Sequence, residues 1–160
     1  MLRINSRKIP MNEEIVITNS KEETAVIAEH FAKTLNRGVF LAFYGDLGAG
    51  KTTFIQGLAK GLGIEKRIIS PTFIIARTYD LRSKSKETQP KTFYHIDLYR
   101  TQSKHDLLGV GLDQIIQDEN NIVALEWAQK LGEMLPKKRI DVHMEYLGED
   151  QRKIIIEKHE

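Results

Sequence analysis

Residues 45–52 of this chain read Gly45-Asp46-Leu47-Gly48-Ala49-Gly50-Lys51-Thr52. The run matches the pattern G-x-x-x-x-G-K-[ST], whose glycines permit a backbone in which successive N–H groups point inward at phosphate oxygens. An apolar stretch of strand length, residues 39–43, lies just before it, and apolar residues recur at helical spacing after Lys51. Because this order of strand, loop and helix is the setting that the pattern requires, the sequence predicts a binding site for a nucleoside triphosphate.

Each part of the loop has an expected contact with the nucleotide. Lys51 is expected to place its charge at the β- and γ-phosphates, Thr52 to offer its hydroxyl to Mg²⁺, and Thr53 to lie at the α-phosphate. The helix that follows adds unpaired N–H groups and the positive end of its dipole. The sequence contains no N-K-x-D stretch of the kind that reads guanine, which favours adenine as the base. The predicted nucleotide contacts in the loop are Asp46, Leu47, Gly48, Ala49, Gly50, Lys51, Thr52 and Thr53.

Two carboxylates end predicted strands and are candidates for the chemistry. Asp97 ends a strand at 92–97, and Glu126 ends a strand at 122–126. Phosphoryl transfer needs Mg²⁺ held by more than one hydroxyl, together with a group that positions the attacking water. In open α/β sheets such groups lie at the carboxyl ends of strands. Either carboxylate could instead cap the next helix, and the pattern leaves open which of the two holds the metal.

Three further side chains have two interpretations each. Thr72, after Ser70-Pro71, is a candidate hydroxyl beside the nucleotide or an ordinary residue of a strand-entry turn. His95 shares a strand face with Asp97, where a histidine is more commonly a packed or hydrogen-bonded residue than a base. Trp127 follows a predicted site residue, and a core or groove aromatic is favoured there over an anchor for a partner.

The composition is typical of a globular domain. The chain has 160 residues, of which 41% are hydrophobic and 29% charged, which predicts one domain with its own core. A net charge of +2 is too small to indicate nucleic-acid binding by itself. The absence of cysteine excludes disulfides, thiolate zinc sites and cysteine nucleophiles. Since no apolar run has the length of a membrane span or of a signal peptide core, we expect a cytoplasmic protein.

The order of predicted strands and helices is that of an α/β protein. A capping-box pattern at Ser20 opens a helix that runs to about Asn36, and predicted strands then alternate with helical stretches. Residues 140–157 predict two antiparallel strands joined by a turn. We therefore expect a three-layer P-loop domain with a mixed, mainly parallel sheet and a C-terminal antiparallel hairpin. It would cover residues 1–160, with 1–11 as a loosely ordered N-terminal extension.

Four stretches of the sequence occur together in a recognisable order. They are the loop with its continuation Thr53-Phe54, then Ser70-Pro71-Thr72-Phe73, then Tyr94-His95-Ile96-Asp97-Leu98-Tyr99-Arg100, and finally Leu125-Glu126-Trp127. With these stretches the chain resembles the TsaE family, also called YjeE, the bacterial ATPase of tRNA threonylcarbamoyladenosine biosynthesis. The resemblance spans about residues 12–147.

The resemblance implies a P-loop fold that binds ATP or ADP with Mg²⁺. It also implies a role in forming the N6-threonylcarbamoyl group, t6A, on adenosine 37 of tRNA. The expected partner is the TsaB–TsaD heterodimer, through which tRNA is contacted indirectly. In this family TsaD transfers the group, and ATP hydrolysis by the TsaE component, slow in isolation, is thought to reset the complex.

The resemblance also implies roles for single residues. Thr52 and Glu126 would ligate Mg²⁺. Thr72 would belong to a first switch-like loop and Asp97 to a second. The residues expected near the adenine are Lys21 and Thr24. The predicted catalytic residues are Lys51, Thr72, Asp97 and Glu126.

Two other functions remain open at this point. One is a nucleotide-dependent binding module that changes conformation with little hydrolysis, which a turnover assay would separate from an ATPase. The other is a small-molecule kinase, but such kinases usually carry an arginine-rich lid. Residues 82–91 contain one arginine and no convincing lid helix.

Overall fold

Among the residues that the structure describes, eight strands form one mixed sheet. The computed structural model describes residues 7–9, 12–71, 74–81 and 89–160. The strands are β1 Arg7–Ile9, β2 Glu13–Thr18, β3 Val39–Tyr44, β4 Ala76–Asp80, β5 Thr92–Asp97, β6 Asn121–Glu126, β7 Arg139–Gly148 and β8 Gln151–His159. Their order across the sheet is β1-β2-β8-β7-β3-β6-β5-β4.

The centre of the sheet is parallel and its two edges are antiparallel. Strand β3 pairs in parallel with β6 and β7, and β6 pairs in parallel with β5. On one side β7, β8, β2 and β1 pair antiparallel, and on the other side β4 pairs antiparallel with β5. The α/β class, the parallel core and the C-terminal hairpin β7–β8 are confirmed.

Helices cover both faces of the sheet. Helices α1 and α2 lie on one face, and α3, α4 and a 3-10 helix lie on the other. Their bounds are α1 Lys21–Ala32, α2 Lys51–Gly61, α3 Lys104–Gly109, α4 Leu112–Gln117 and, for the 3-10 helix, Ala128–Met134. None of the helices in the described ranges is long and apolar enough to cross a membrane.

Strand β3 shows why three layers form. Its alternate side chains point to opposite faces, so Leu41 and Phe43 enter the core under α1 and α2. Phe40 and Ala42 enter the core on the other face. All six residues of β6 are buried, as expected for a parallel strand covered on both sides. The carboxyl end of β3, where the glycine-rich loop begins, is therefore held by packing from above and below.

Several predicted boundaries differ from the structure. Helix α1 ends at Ala32 instead of Asn36, because the N–H groups of the next three residues bond to carbonyls three positions back and tighten the last turn. The predicted helix at 127–135 is a 3-10 helix, broken at Gly132 by non-helical dihedrals. Within the predicted extension 1–11, Arg7–Ile9 pairs with β2, and the rest of that stretch lies outside the described residues.

Helices α1 and α2 approach each other through glycine. A Cβ on Gly57 would collide with the carbonyl oxygen of Ala25 and would lie 2.8 Å from the Cβ of Ala28. A Cβ on Gly61 would collide with the carbonyl oxygen of Glu29 and lie 2.6 Å from the Cβ of Ala32. The two backbones therefore pack in direct contact, and α1 holds a fixed position beside the helix that follows the loop.

We predict that Gly57→Ala destabilises the protein by about 1–3 kcal/mol, because overpacking at a closed contact outweighs the better helix propensity of alanine. Gly109→Ala is the matched control, since a Cβ there meets nothing within 4 Å. It should leave stability unchanged or raise it by up to about 1 kcal/mol. Urea unfolding of both variants measures the difference, and equal stability of the two would contradict the close-contact explanation.

Candidate functional site

A cleft of about 370 Å³ opens at the carboxyl end of the parallel strands, beside the first turn of α2. Its size lies within the range of small-molecule sites. The glycine-rich loop and first helical turn form its floor with Leu47, Gly48, Gly50, Lys51, Thr52 and Thr53. The remaining lining residues come from other strands, loops and helices: Lys21, Ser70, Asp97, Tyr99, Glu126, Trp127 and Arg152.

The loop backbone depends on its glycines. Gly45, Gly48 and Gly50 have φ angles of +142°, +83° and +101°, a region that side chains disfavour. A Cβ on Gly45 would also collide with the carbonyl oxygen of Met144 on β7. Gly50 caps α2 without any side-chain hydrogen bond, so the first N–H groups of this helix are available to an anion.

Lys51 is buried in the floor of the cleft and is hydrogen-bonded to the loop. Its Nζ donates to the carbonyl oxygens of Gly45 at 2.6 Å and Asp46 at 2.9 Å. It also lies 4.4 Å from the ring centroid of Trp127. Burial lowers the pKa of Lys51, while the carboxylate of Glu126 acts in the opposite direction. A phosphate oxygen entering the cleft would compete with the two carbonyls for this ammonium group.

Glu126 is hydrogen-bonded to α2, the helix that follows the glycine-rich loop. Its Oε1 accepts from Thr52 Oγ1 at 3.0 Å and pairs with His95 Nε2 at 2.8 Å. An ionised carboxylate only accepts, so Nε2 of the fully buried His95 is the donor. The other ring nitrogen, Nδ1, has no hydrogen-bond partner among the described residues. His95 is therefore both packed in the core and a positioning contact for Glu126.

The Thr52–Glu126 pair fits the chemistry of a Mg²⁺ site. A hydroxyl and a carboxylate are the hard oxygen ligands that this ion prefers. Thr52 Oγ1 and Glu126 Oε1 lie 3.0 Å apart, so both oxygens could ligate one ion.

Asp97 lies beside Glu126, because the two are register partners at the ends of β5 and β6. Its Oδ2 accepts from Ser70 Oγ at 2.8 Å, and its Oδ1 accepts from the backbone N–H of Tyr99 at 2.9 Å. The second bond closes a turn after β5 and does not cap a helix, because the next helix, α3, has Ser103 as its N-cap. Both oxygens are thus oriented by neighbours while the side chain lines the cleft.

Two aromatic rings border the carboxylate side of the cleft. Trp127, in the left-handed region at φ +61°, starts the 3-10 helix, and its ring lies 5.1 Å from that of Tyr99. Lys130 Nζ donates to the carbonyl oxygens of Tyr99 at 2.6 Å and Thr101 at 3.1 Å. Trp127 also packs against the core under the 3-10 helix, so its ring belongs to both core and cleft.

The structure brings together most, but not all, of the predicted site residues. Lys21 lines the cleft, whereas Thr24 is turned inward and its hydroxyl lies 2.7 Å from that of Thr18. The carbonyl oxygen of Asp46 accepts from Lys51, and Ala49 is buried against the core instead of lining the cleft. Thr72 lies outside the described residues.

Four cleft residues were not predicted as site residues: Ser70, Tyr99, Trp127 and Arg152. For Trp127 the sequence favoured a core or groove aromatic, which agrees with its position. Ser70 and Tyr99 could have been found from their places in the recognised stretches. Arg152 had no such signal, because only the pairing of β8 with β2 and β7 brings it to the cleft.

Comparisons with known proteins identify the family of this chain. The model of the family described as threonylcarbamoyl adenosine biosynthesis protein TsaE matches residues 18–154. The tRNA threonylcarbamoyladenosine biosynthesis protein TsaE of Bacillus subtilis (strain 168) is 37% identical over 137 residues, covering 86% of this chain and 80% of its own. The protein of the same name from Rickettsia bellii (strain RML369-C) is 36% identical over 137 residues, covering 85% of this chain and 89% of its own.

A solved structure shows the same fold. The crystal structure of Bacillus subtilis YdiB is similar with a TM-score of 0.73 and 32% sequence identity, over 96% of this chain and 90% of that one. The resemblance indicated by the four sequence stretches is thereby confirmed. This chain belongs to the TsaE family of tRNA threonylcarbamoyladenosine biosynthesis proteins.

Proposed function

We propose that this protein binds ATP with Mg²⁺ and hydrolyses it as one component of the machinery that forms t6A at adenosine 37 of tRNA. The supporting observation is the convergence of the Lys51 ammonium, the Thr52 hydroxyl and the Glu126 carboxylate on one cleft. This is the set of groups that a Mg²⁺–triphosphate complex needs. The relatives in turn carry the name of t6A biosynthesis.

The loop and the first turn of α2 would bind the triphosphate. Lys51 would exchange the carbonyl oxygens of Gly45 and Asp46 for β- and γ-phosphate oxygens. Thr52 and Glu126 would hold Mg²⁺, which when bound neutralises charge on the phosphate oxygens. His95 would keep the Glu126 carboxylate in place by its hydrogen bond.

Asp97 is the group that we propose to position the attacking water. Its carboxylate is held by Ser70 and by the N–H of Tyr99, so it presents one orientation to the cleft. A carboxylate fixed in this way can accept a hydrogen bond from a water molecule aimed at the γ-phosphate. Thr72, two residues after Ser70, is proposed as a further hydroxyl of the same loop.

The proposed partner is the TsaB–TsaD heterodimer, and contact with tRNA is proposed to be indirect. The net charge of +2 offers little attraction for a polyanion, which supports an indirect contact. We expect slow hydrolysis by the isolated protein and faster hydrolysis once contacts with the partner complete the site near Thr72 and Asp97. The setting would be the cytoplasm, where tRNA is modified.

Lys51→Ala is predicted to weaken ATP and ADP binding by more than about tenfold, because a charge-assisted contact to phosphate is lost. The fold should persist, because Lys51 belongs to neither of the two apolar core clusters. Titration calorimetry measures the affinity, and multiple-turnover t6A formation with reconstituted TsaB–TsaD measures the function. Modification should stop both with this variant and when the protein is omitted.

The matched control for this experiment is Lys60→Ala on the same helix. Lys60 is 73% exposed and pairs with Glu29 at the far end of α2, so its loss should leave affinity and modification unchanged. Wild-type nucleotide affinity in Lys51→Ala would refute the nucleotide site. Sustained modification without the protein would refute its place in t6A formation.

Substitutions of the two carboxylates, Glu126 and Asp97, should affect different properties of the protein. Glu126→Gln is predicted to reduce the Mg²⁺-dependent part of ATP affinity, because a metal ligand loses its charge. Asp97→Asn should leave that affinity near wild type and lower hydrolysis in the presence of TsaB–TsaD. Calorimetry with and without Mg²⁺, together with phosphate release, measures both. The opposite pattern would show that the two roles are exchanged, and no hydrolysis in any sample would favour a binding module.

Adenine nucleotides should protect the fold more than guanine nucleotides. A ligand that binds only the native state raises Tm by an amount that grows with its affinity. We therefore expect ATP and ADP to raise Tm more than GTP and GDP at the same concentrations. Thermal melts with the four nucleotides provide the measurement, and equal protection would remove the adenine assignment.

A further inference from the structure

Arg152 lines the nucleotide cleft from the C-terminal hairpin. It lies on β8, between its register partners Thr18 of β2 and Tyr146 of β7. The residue is only 7% exposed, and its Cζ lies 4.3 Å from the ring centroid of Tyr146. Its Nη1 donates to the carbonyl oxygen of Gln151 at 3.2 Å. A permanent cation is therefore held in the wall of the cleft.

The charge of Arg152 is incompletely compensated by the protein. Among the described residues, no carboxylate forms an ion pair with its guanidinium, although a buried charge is costly unless it is paired. The Tyr146 ring and one carbonyl supply partial compensation. An anion bound in the cleft would supply the rest.

The position of Arg152 identifies which part of a nucleotide it can reach. A Cβ on Gly50 would lie 3.3 Å from Arg152 Nε, so the side chain packs against the loop itself. Strand β8 lies two strands from β3 on one side, whereas Glu126 and Asp97 lie on β6 and β5 on the other side. If Thr52 and Glu126 hold Mg²⁺, the β- and γ-phosphates would lie on their side of the cleft, and the α-phosphate would lie on the side of β8.

We propose that Arg152 is a nucleotide-binding residue whose guanidinium contacts the α-phosphate. This assignment rests on the proposed nucleotide function and adds to it a contact that no local motif indicates. Lys21, at the start of α1, lines the cleft as well. The cleft would then bind the phosphate chain between the metal-binding carboxylate on one side and a fixed cation on the other.

The test compares Arg152→Gln with wild type in calorimetric titrations of ADP and ATP. We expect the dissociation constants of both nucleotides to rise by the same factor, about tenfold or more, because both carry the α-phosphate. The loss should appear for ADP with or without Mg²⁺. The salt dependence of binding should also become shallower, because one screened charge–charge contact is removed.

The matched control is Lys153→Gln, the next residue along β8. Successive residues of a strand point to opposite faces, so this variant removes an equal charge from outside the cleft. Its affinities should equal those of wild type. If Arg152→Gln melts below wild type without nucleotide, Arg152→Met, which retains the apolar stem against Tyr146, takes its place.

Three results would overturn the assignment. Affinities within twofold of wild type would show that Arg152 does not bind the nucleotide. A loss for ATP but not ADP would place the contact at the γ-phosphate. A loss with unchanged salt dependence would indicate packing through Tyr146 instead of charge. Lys51→Ala is measured in parallel. If both variants bind nucleotide like wild type, the proposed nucleotide function fails. If Lys51→Ala loses affinity and Arg152→Gln does not, only the Arg152 assignment fails.

Discussion

Oxygen Oε1 of Glu126 accepts two hydrogen bonds, from Thr52 on α2 and from His95 on β5. These bonds join the loop helix to two strands of the parallel centre, so the loop, the carboxylate and the buried imidazole have one relative arrangement. A fixed arrangement of this kind is what electrostatic catalysis requires, because donors and acceptors that are already oriented need no reorganisation during the reaction. The same carboxylate also opposes, by its charge, the effect of burial on the pKa of Lys51.

The sheet order separates the charges of the cleft. Strands β5 and β6 bring Asp97 and Glu126 to one side of the loop, and β8 brings Arg152 to the other. This separation follows from the mixed topology: the parallel strands supply carboxylates at their carboxyl ends, and the antiparallel hairpin supplies a residue from its turn-proximal end. The hairpin thus adds to the cleft as well as covering one edge of the parallel centre.

The parts of the site that could be predicted are those that local sequence determines. The glycine-rich loop, its strand and its helix are continuous in sequence, and Asp97 and Glu126 each end a strand whose apolar pattern is visible. Arg152 could not be predicted, because its place depends on which strands pair across more than 100 residues of chain. The inward orientation of Thr24 follows from the spacing of the buried face of α1, which it shares with Ala28 and Ala32, whereas its hydroxyl contact with Thr18 joins two elements and could not be predicted. The predicted end of α1 lies beyond the observed one, because apolar residues continue at helical spacing after Ala32, where the hydrogen bonds change to the tighter 3-10 pattern.

Trp127 is the single tryptophan of this chain, and its ring borders the cleft 4.4 Å from the Lys51 ammonium. Indole emission responds to nearby charge and to the polarity of its surroundings. A movement of the Lys51 ammonium away from the ring would therefore change the emission of the one fluorophore of its kind in the protein. The cation–π contact gives the protein an intrinsic optical reporter at its candidate active site, without any added label. Because the ring also packs against the core under the 3-10 helix, the same signal would follow unfolding of that side of the sheet.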